Sequence, residues 1–196
     1  MLSSITPLGE RGRGSIWAVT VAAFALGATA AGAVAGAVAG LLGSLAVPAG
    51  VGAHGRLAAL AAALAVAAAL DGLRRSPLGP RRQVNERWLD EFRGWVYGVG
   101  FGAQLGLGLT TVVTSAATYA ALLAAILTRD PLAGAAVVGS FGLVRGLSPL
   151  AAARVRSPAA LFGLHTALAR WSARSRVMAI AGLALASLAA TYGALA

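Results

Sequence analysis

Residues 16–47 read IWAVTVAAFALGATAAGAVAGAVAGLLGSLAV, a run of 32 positions without one charged side chain. About 20 apolar residues in an α-helix span the roughly 30 Å hydrocarbon core of a bilayer. A secretory signal peptide has an apolar core of only about 7–15 residues, so this run is too long to be one. The stretch therefore predicts an uncleaved membrane helix, which ends before Pro48 and Gly50.

The composition of the whole chain fits the same interpretation. Of its 196 residues, 58% are hydrophobic and only 11% are charged, whereas soluble domains carry roughly 25% charged residues. A water-soluble fold of this size could not cover so many apolar side chains, and a disordered chain needs low hydrophobicity. We therefore predict an all-α, polytopic helical membrane protein with a single transmembrane domain over residues 1–196, whose main partner is the lipid bilayer.

Apolar segments along the chain predict five transmembrane helices. Their approximate bounds are 16–47, 57–73, 94–127, 132–153 and 177–196. The third segment would form a helix of about 51 Å, which exceeds one bilayer crossing. We keep it as one crossing that is tilted, overhanging or broken.

The distribution of arginines predicts the orientation. All sixteen basic residues are arginine, and with six acids they give a net charge of +10. With a cytoplasmic N-terminus, thirteen of them flank the predicted crossings on the inside, and only Arg56 and Arg129 lie outside. Such an excess is typical of cytoplasmic loops. We therefore expect the N-terminus inside, the C-terminus outside, no nucleic-acid partner, and a multi-pass protein of a bacterial inner (plasma) membrane.

Two cytoplasmic segments have patterns of their own. Ser157 and Pro158 form a helix start, and the residues up to 175 separate an apolar face from a basic one, which predicts an amphipathic helix on the inner membrane surface. The other segment precedes the third crossing and is either an interfacial anchor or a docking surface for a cytoplasmic partner. Its candidate docking residues are Arg87, Trp88, Asp90 and Glu91.

Glycines repeat every fourth residue in the first and third predicted crossings. Small residues at this spacing let membrane helices approach each other closely. We expect both rows to pack against helices of this chain or of a second subunit. The rows are Gly32, Gly36 and Gly40 in the first crossing, and Gly98, Gly102 and Gly106 in the third.

The opposite face of the third crossing is polar at a spacing of about 100° per residue. A substrate path along this stripe is one interpretation, and internally bonded hydroxyl groups are the other. Gln104 is the strongest candidate for a substrate contact, because a buried amide without a partner is costly. Arg145 is the one basic residue within a predicted crossing, and it either gates such a path or extends to the inner interface. The candidate path consists of Gln104, Thr111, Ser115, Thr118 and Arg145.

The sequence offers no set of residues with the spacing of a known catalytic or metal site. There is no cysteine, and the two histidines, His54 and His165, fall on opposite sides of the membrane in the predicted topology. No paired carboxylates, nucleophile with a base, or phosphate-binding loop is evident. We therefore expect a protein without enzymatic activity, cofactor or metal.

The order of the segments over residues 15–196 resembles the transmembrane domain of the CcdA/DsbD group of thiol-electron carriers. AFALG at 23–27 is similar to the second helix of that family, WVYGVGFG at 95–102 to the start of its fourth, the small residues at 134–149 to its fifth, and GLAL at 182–185 to its last. The family's first helix, with its proline–cysteine motif, has no counterpart here, and its second reactive cysteine would fall within 106–111. The resemblance thus implies a related scaffold without thiol chemistry, which moves a small solute or supports an extracytoplasmic assembly.

Three functions are compatible with these patterns. The leading one is a non-enzymatic membrane protein of transporter-like build that moves a small solute. The second is a structural or accessory subunit of a larger membrane complex, and the third is a substrate-binding component of an energy-coupling transporter. An odd number of crossings argues against a self-contained inverted-repeat transporter, so we expect a homo-oligomer or other membrane subunits as partners.

Overall fold

The computed structural model of the chain describes residues 5–73, 87–108 and 115–196, apart from the side chain of Asp90. Every regular element in these ranges is helical. The elements are α1 (Pro7–Gly12), α2 (Trp17–Ala46), α3 (Ala53–Gly72), α4 (Trp88–Glu91), α5 (Gly94–Leu107), α6 (Ala117–Thr128), α7 (Pro131–Gly146), a 3₁₀ turn (Ser148–Ala152) and α8 (Pro158–Leu195).

Within the described residues, four helical segments are long and apolar enough to cross a membrane. They are Trp17–Ala46, Ala53–Gly72, Pro131–Ala152 and Pro158–Leu195, and α6 is a shorter apolar helix. The third of them joins α7 to the 3₁₀ turn. The predicted class of all-helical membrane protein is therefore confirmed at this level.

Helix α2 is the centre of the fold, and α5 and α6 follow one another along it. A Cβ on Gly98 would meet Thr20, one on Gly106 would meet Ala28, and one on Gly43 would meet Ile126. The chain numbers rise together on both sides, so α5 and α6 both run parallel to α2. The region predicted as one crossing at 94–127 is thus two helices placed end to end.

The interruption begins at Gly108, the C-cap of α5, which has a left-handed backbone with φ of 70°. Glycine adopts this conformation without the steric cost that a Cβ imposes. The next residues include the sequence TTVVT at 110–114, where every side chain is β-branched and has low helix propensity. Residues 109–114 themselves lie outside the described ranges.

Helix α7 runs antiparallel to α2 along the other side. Its start is fixed by Asp130, whose side chain accepts a hydrogen bond of 2.6 Å from the backbone N–H of Ala133, with Pro131 at the first helical position. Gly134 then lies against Gly36, and Gly146 lies against Ala25 and Ala28.

The remaining long helices, α3 and α8, form an antiparallel pair beside α6. The hydroxyl group of Ser187 donates to the carbonyl oxygen of Ala61 over 2.8 Å, and Leu57 lies next to Gly193. The pair reaches α6 through one small apolar cluster. Its buried members are Ala67, Ala116, Ala120 and Leu183.

The C-terminal region differs from its prediction. A surface helix over 158–175 and a separate crossing over 177–196 are expected from the sequence, but α8 is one helix of 38 residues. The reason is local: residues 164–181 contain neither glycine nor proline, and most of them are good helix formers. Arg170, Arg174 and Arg176 make this part of α8 basic, but they do not end the helix.

Candidate functional site

The candidate site is the interruption between α5 and α6. On the α5 side, Nη1 of Arg145 donates to the carbonyl oxygen of Leu105 over 3.2 Å. The guanidinium carbon lies 5.5 Å from the centre of the Phe141 ring. The last carbonyl groups of a helix lack intrahelical donors and carry partial negative charge. Arg145 therefore caps the C-terminus of α5 from another helix.

On the α6 side, a carboxylate from α3 performs the complementary task. Asp71 accepts a hydrogen bond of 2.6 Å from the hydroxyl group of Ser115 and one of 2.9 Å from the backbone N–H of Ala116. The Ser115 oxygen in turn accepts from the backbone N–H of Ala117 over 3.1 Å. The N-terminus of a helix carries partial positive charge, so a carboxylate stabilises it.

The two ends meet at Gly108. A Cβ on this residue would lie 2.8 Å from Cγ2 of buried Thr118 and 4.0 Å from Nη1 of Arg145. Residues from α6 and α7 thus come together beside the end of α5. The arrangement places one cation, the methyl group of a buried threonine and the end of α5 around a single residue.

A second arginine caps the other end of α6. Nη1 of Arg56, at the start of α3, donates to the carbonyl oxygens of Leu127 and Thr128 over 3.2 and 3.3 Å. Both short helices of the interrupted crossing therefore end on a guanidinium supplied by a different helix.

The predicted substrate path is only partly assembled. Thr118 and Arg145 come together at Gly108, whereas Ser115 turns to Asp71. Gln104 is half-buried one turn before Gly108. Thr111 lies outside the described residues.

Helix α5 ends at Leu107 and α6 begins at Ala117, so one helical spacing of 100° per residue does not run through the whole predicted stripe. Tyr97, two turns before Gln104 on α5, is fully buried in a cluster with Phe24 and Phe101.

The six glycines predicted to pack helices all face neighbouring helices of the same chain. At Gly36, Gly40, Gly102 and Gly106 an added Cβ would lie less than 3.0 Å from backbone atoms of the facing chain segment. Gly32 faces Val138 and Gly98 faces the backbone of α2, both at 2.7 Å. These positions have no room for a larger residue.

A buried carboxylate near the N-terminus was missed by the sequence analysis. Glu10 in α1 is completely buried and accepts hydrogen bonds from three side chains. The donors are the hydroxyl group of Tyr97 at 2.5 Å, the guanidinium of Arg13 at 2.6 Å and the hydroxyl group of Thr20 at 2.7 Å. The cluster joins α1 to α2 and α5.

Arg13 remains charged in this cluster. Burial by itself lowers the pKa of Arg13, but hydrogen bonds with Glu10 and Tyr97 outweigh that effect and raise the pKa above its usual value. The only sequence signal was Thr6 followed by Pro7, which marks a helix start that puts Glu10 and Arg13 on one face. Nothing in the local sequence indicates Tyr97 as the third member.

The predicted docking residues divide into two groups. Trp88 is half-buried and stacks on Phe101 at a centroid distance of 5.9 Å, so it holds α4 against α5. Arg87 and Glu91 are exposed, and Glu91 lines a cavity of about 600 Å³ together with Arg13 and other residues. The side chain of Asp90 lies outside the described part of the chain.

Among the described residues, no group of three or more His, Cys, Asp or Glu side chains could hold a metal ion. No protein-family model matches this sequence, and the searches of curated proteins and of solved structures find no match either. The similarity to the CcdA/DsbD group therefore stays an interpretation of the sequence, and the function has to be argued from the interrupted crossing itself.

Proposed function

We propose that this chain is a non-enzymatic membrane protein that moves a small solute, and that the solute is bound at the interruption between α5 and α6. The observation that carries the proposal is the pair of helix ends at Gly108 and Ala116, capped by Arg145 and Asp71. Discontinuous helices commonly form the substrate sites of membrane transporters. Ionisable residues within membrane segments are costly and are usually retained for function.

The topology that goes with this function has five crossings. Helices α5 and α6 lie in sequence along α2 and together count as one discontinuous crossing, in addition to the four long segments. The excess of arginines on one side then places the N-terminus in the cytoplasm and the C-terminus outside. We assign the protein to a bacterial inner membrane.

The capping interactions suggest how the site operates. A solute that reaches Gly108 competes with Leu105 for the donors of Arg145. This exchange loosens the end of α5 without disturbing the glycine contacts of α2. Gln104 and Thr118 are the side chains that we expect to contact the solute as it passes.

Reconstitution tests the proposal. Purified protein in liposomes is compared with protein-free liposomes for uptake of a panel of small anionic, neutral and cationic solutes. We expect protein-dependent, saturable flux of one class, and a reduction of about tenfold or more in Gln104→Leu, the size expected when a bound polar group loses its partner. Ser140→Ala is the control, since Ser140 is exposed and bonds to Val137 of its own helix. Absence of flux for the entire panel contradicts a transport function.

A structural role in a larger complex is the second candidate, and the exposure of α8 favours it. Phe162 and Trp171 in its first half are 75% and 56% exposed. Large aromatic side chains commonly bind partners, so this exposure favours a partner subunit on α8. The mass of the protein purified in a mild detergent separates the two candidates. A stable stoichiometric complex with other membrane subunits supports the structural role, whereas a monomer or homo-oligomer supports the transporter.

A further inference from the structure

Arg145 has a positive charge that no carboxylate balances in the part of the chain that the structure describes. The carboxylates with described contacts are committed elsewhere: Glu10 bonds to Arg13, Asp71 caps α6, and Asp130 caps α7. Arg145 contacts one carbonyl oxygen and the face of the Phe141 ring. A guanidinium has five N–H donors, and among the described residues only Leu105 supplies an acceptor to them.

The position of Arg145 makes this imbalance costly. The residue is half-buried near the end of the Pro131–Ala152 segment, beside the interruption of the third crossing. A charge removed from water is stabilised only if it is paired and hydrogen-bonded. A carbonyl dipole and an aromatic ring supply part of that compensation, and an anion would supply the rest.

We propose that the solute carries an oxyanion, a carboxylate or phosphate group, and that Arg145 binds this group. The inference rests on the proposed function, since it names the class of solute for the same site. The planar guanidinium presents pairs of N–H groups that match two oxygens of such an anion.

Arg56 provides a matched control within the same chain. It also donates through Nη1 to the terminal carbonyls of a short helix, and it also comes from a neighbouring helix. It lies at the far end of α6, however, next to the turn into α7 and away from the interruption. Removing either arginine costs one helix cap, but only the removal of Arg145 takes a cation from the proposed site.

The test measures ligand binding to the purified protein in an uncharged detergent by calorimetric titration. The probes are acetate, succinate and inorganic phosphate, with acetamide as the neutral counterpart of acetate. We expect saturable binding of at least one oxyanion and none of acetamide. Arg145→Gln should weaken that binding about tenfold or more, the loss expected for a charged hydrogen bond, and Arg56→Gln should leave it unchanged.

Arg145→Lys guards against a folding defect, because lysine keeps the charge and can still cap α5. We expect it to bind the oxyanion more weakly than the native protein and more tightly than Arg145→Gln, since an ammonium group cannot form the paired contact. Equal binding by the native protein and both Arg145 variants would overturn the inference, and so would binding of none of the three oxyanions.

A lipid phosphate offers the same chemistry from a different source. The titrations are therefore repeated in nanodiscs of phosphatidylcholine, with and without phosphatidylglycerol. The site belongs to a lipid headgroup if phosphatidylglycerol abolishes binding of the soluble oxyanion and if binding of that lipid requires Arg145. This result overturns the inference that the bound oxyanion belongs to a solute. Undiminished binding of the soluble oxyanion supports the inference.

The same experiments separate this inference from the transport function. Flux of neutral or cationic solutes by a protein that binds no oxyanion leaves transport intact and refutes the oxyanion class. Oxyanion binding that depends on Arg145, in a protein that produces no flux, supports the site and refutes transport.

Discussion

The surroundings of α2 and the pair formed by α3 and α8 are built in different ways. Eleven residues of α2 are buried, whereas α3 and α8 bury two each. Around α2, glycines bring backbone against backbone, as Gly36 does with Gly134. Between α3 and α8 the contacts come mostly from alanines and from the one hydrogen bond of Ser187 to Ala61.

The difference shows how this chain obtains rigidity without a large core. In lipid there is little hydrophobic drive between helices, so association depends on close packing and hydrogen bonds. Helices α5, α6 and α7 pack backbone against backbone with α2. We call these four helices the frame. The α3–α8 pair lacks such backbone contacts, and hydrogen bonds of Asp71 and Arg56 to α6 join it to the frame.

The largest effect is expected from filling a glycine contact of the frame. In Gly36→Leu, the new Cβ would fall within 3.0 Å of backbone atoms of Gly134, which cannot give way as a side chain does. We expect a loss of at least about 3 kcal/mol, at the upper end of the cost of overpacking, measured by thermal unfolding in detergent.

The control for this variant is Gly182→Leu in α8, where nothing lies within 4 Å of an added Cβ. Its stability should not fall, and should rise by about 0.5–1 kcal/mol, because leucine has a higher helix propensity than glycine. Similar losses in both variants would show that the two regions do not differ in the way described.

A smaller effect is expected at Glu10, whose hydrogen bonds join α1 to α2 and α5. Glu10→Gln keeps the shape of the side chain but removes the negative charge of the ion pair with Arg13. We expect a loss of about 1–3 kcal/mol, the range for a hydrogen bond to a charged group. Thermal unfolding again measures it, and Glu91→Gln at an exposed position of the same end should unfold like the native protein. An unchanged midpoint for Glu10→Gln would mean that α1 contributes nothing to the frame.

The smallest effect is expected at the hydrogen bond of the α3–α8 pair. Ser187→Ala removes the donor to the Ala61 carbonyl oxygen, which is worth about 1 kcal/mol or less. Hydrogen exchange should become faster in α3 while that of α2 is unchanged. In Ser172→Ala the lost bond is internal to α8, to Ala169, so exchange in α3 should match the native rate. Equal acceleration in α2 and α3 would indicate that the pair is part of the frame.

The sequence was sufficient for the class of fold because hydrophobicity and charge are local quantities. The four-residue spacing of the glycines also indicated which faces meet, although it could not say that Gly36 meets Gly134 in particular. For the third crossing the sequence is compatible with a tilted, an overhanging or a broken helix, and the interruption after Gly108 is the last of these three. The β-branched run at 110–114 lowers helix propensity, but tertiary contacts decide whether a helix continues through it.

The polar contacts of the site were beyond sequence reasoning for a physical reason. Tyr97 and Glu10 are 87 positions apart, and Ser115 and Asp71 are 44 apart. No periodicity links such positions, since each pairing depends on how two helices are placed in space. Arg145 was identified because a charge within an apolar segment is unusual, yet its acceptor, the backbone of Leu105, carries no sequence signal at all.

The continuity of α8 has a mechanical consequence. At 1.5 Å per residue, its 38 residues extend for about 57 Å, nearly twice the hydrocarbon thickness of roughly 30 Å. The contacts of Ser187 with Ala61 and of Gly193 with Leu57 place its last half beside α3, so about 30 Å of helix projects past Gly72 as a lever arm. A tilt of about 10° would displace its far end by about 5 Å. That end follows the buried Val155, whose carbonyl oxygen accepts a hydrogen bond of 3.1 Å from the backbone N–H of Leu8. A shift of the α3–α8 pair would thus be transmitted along this helix to α1.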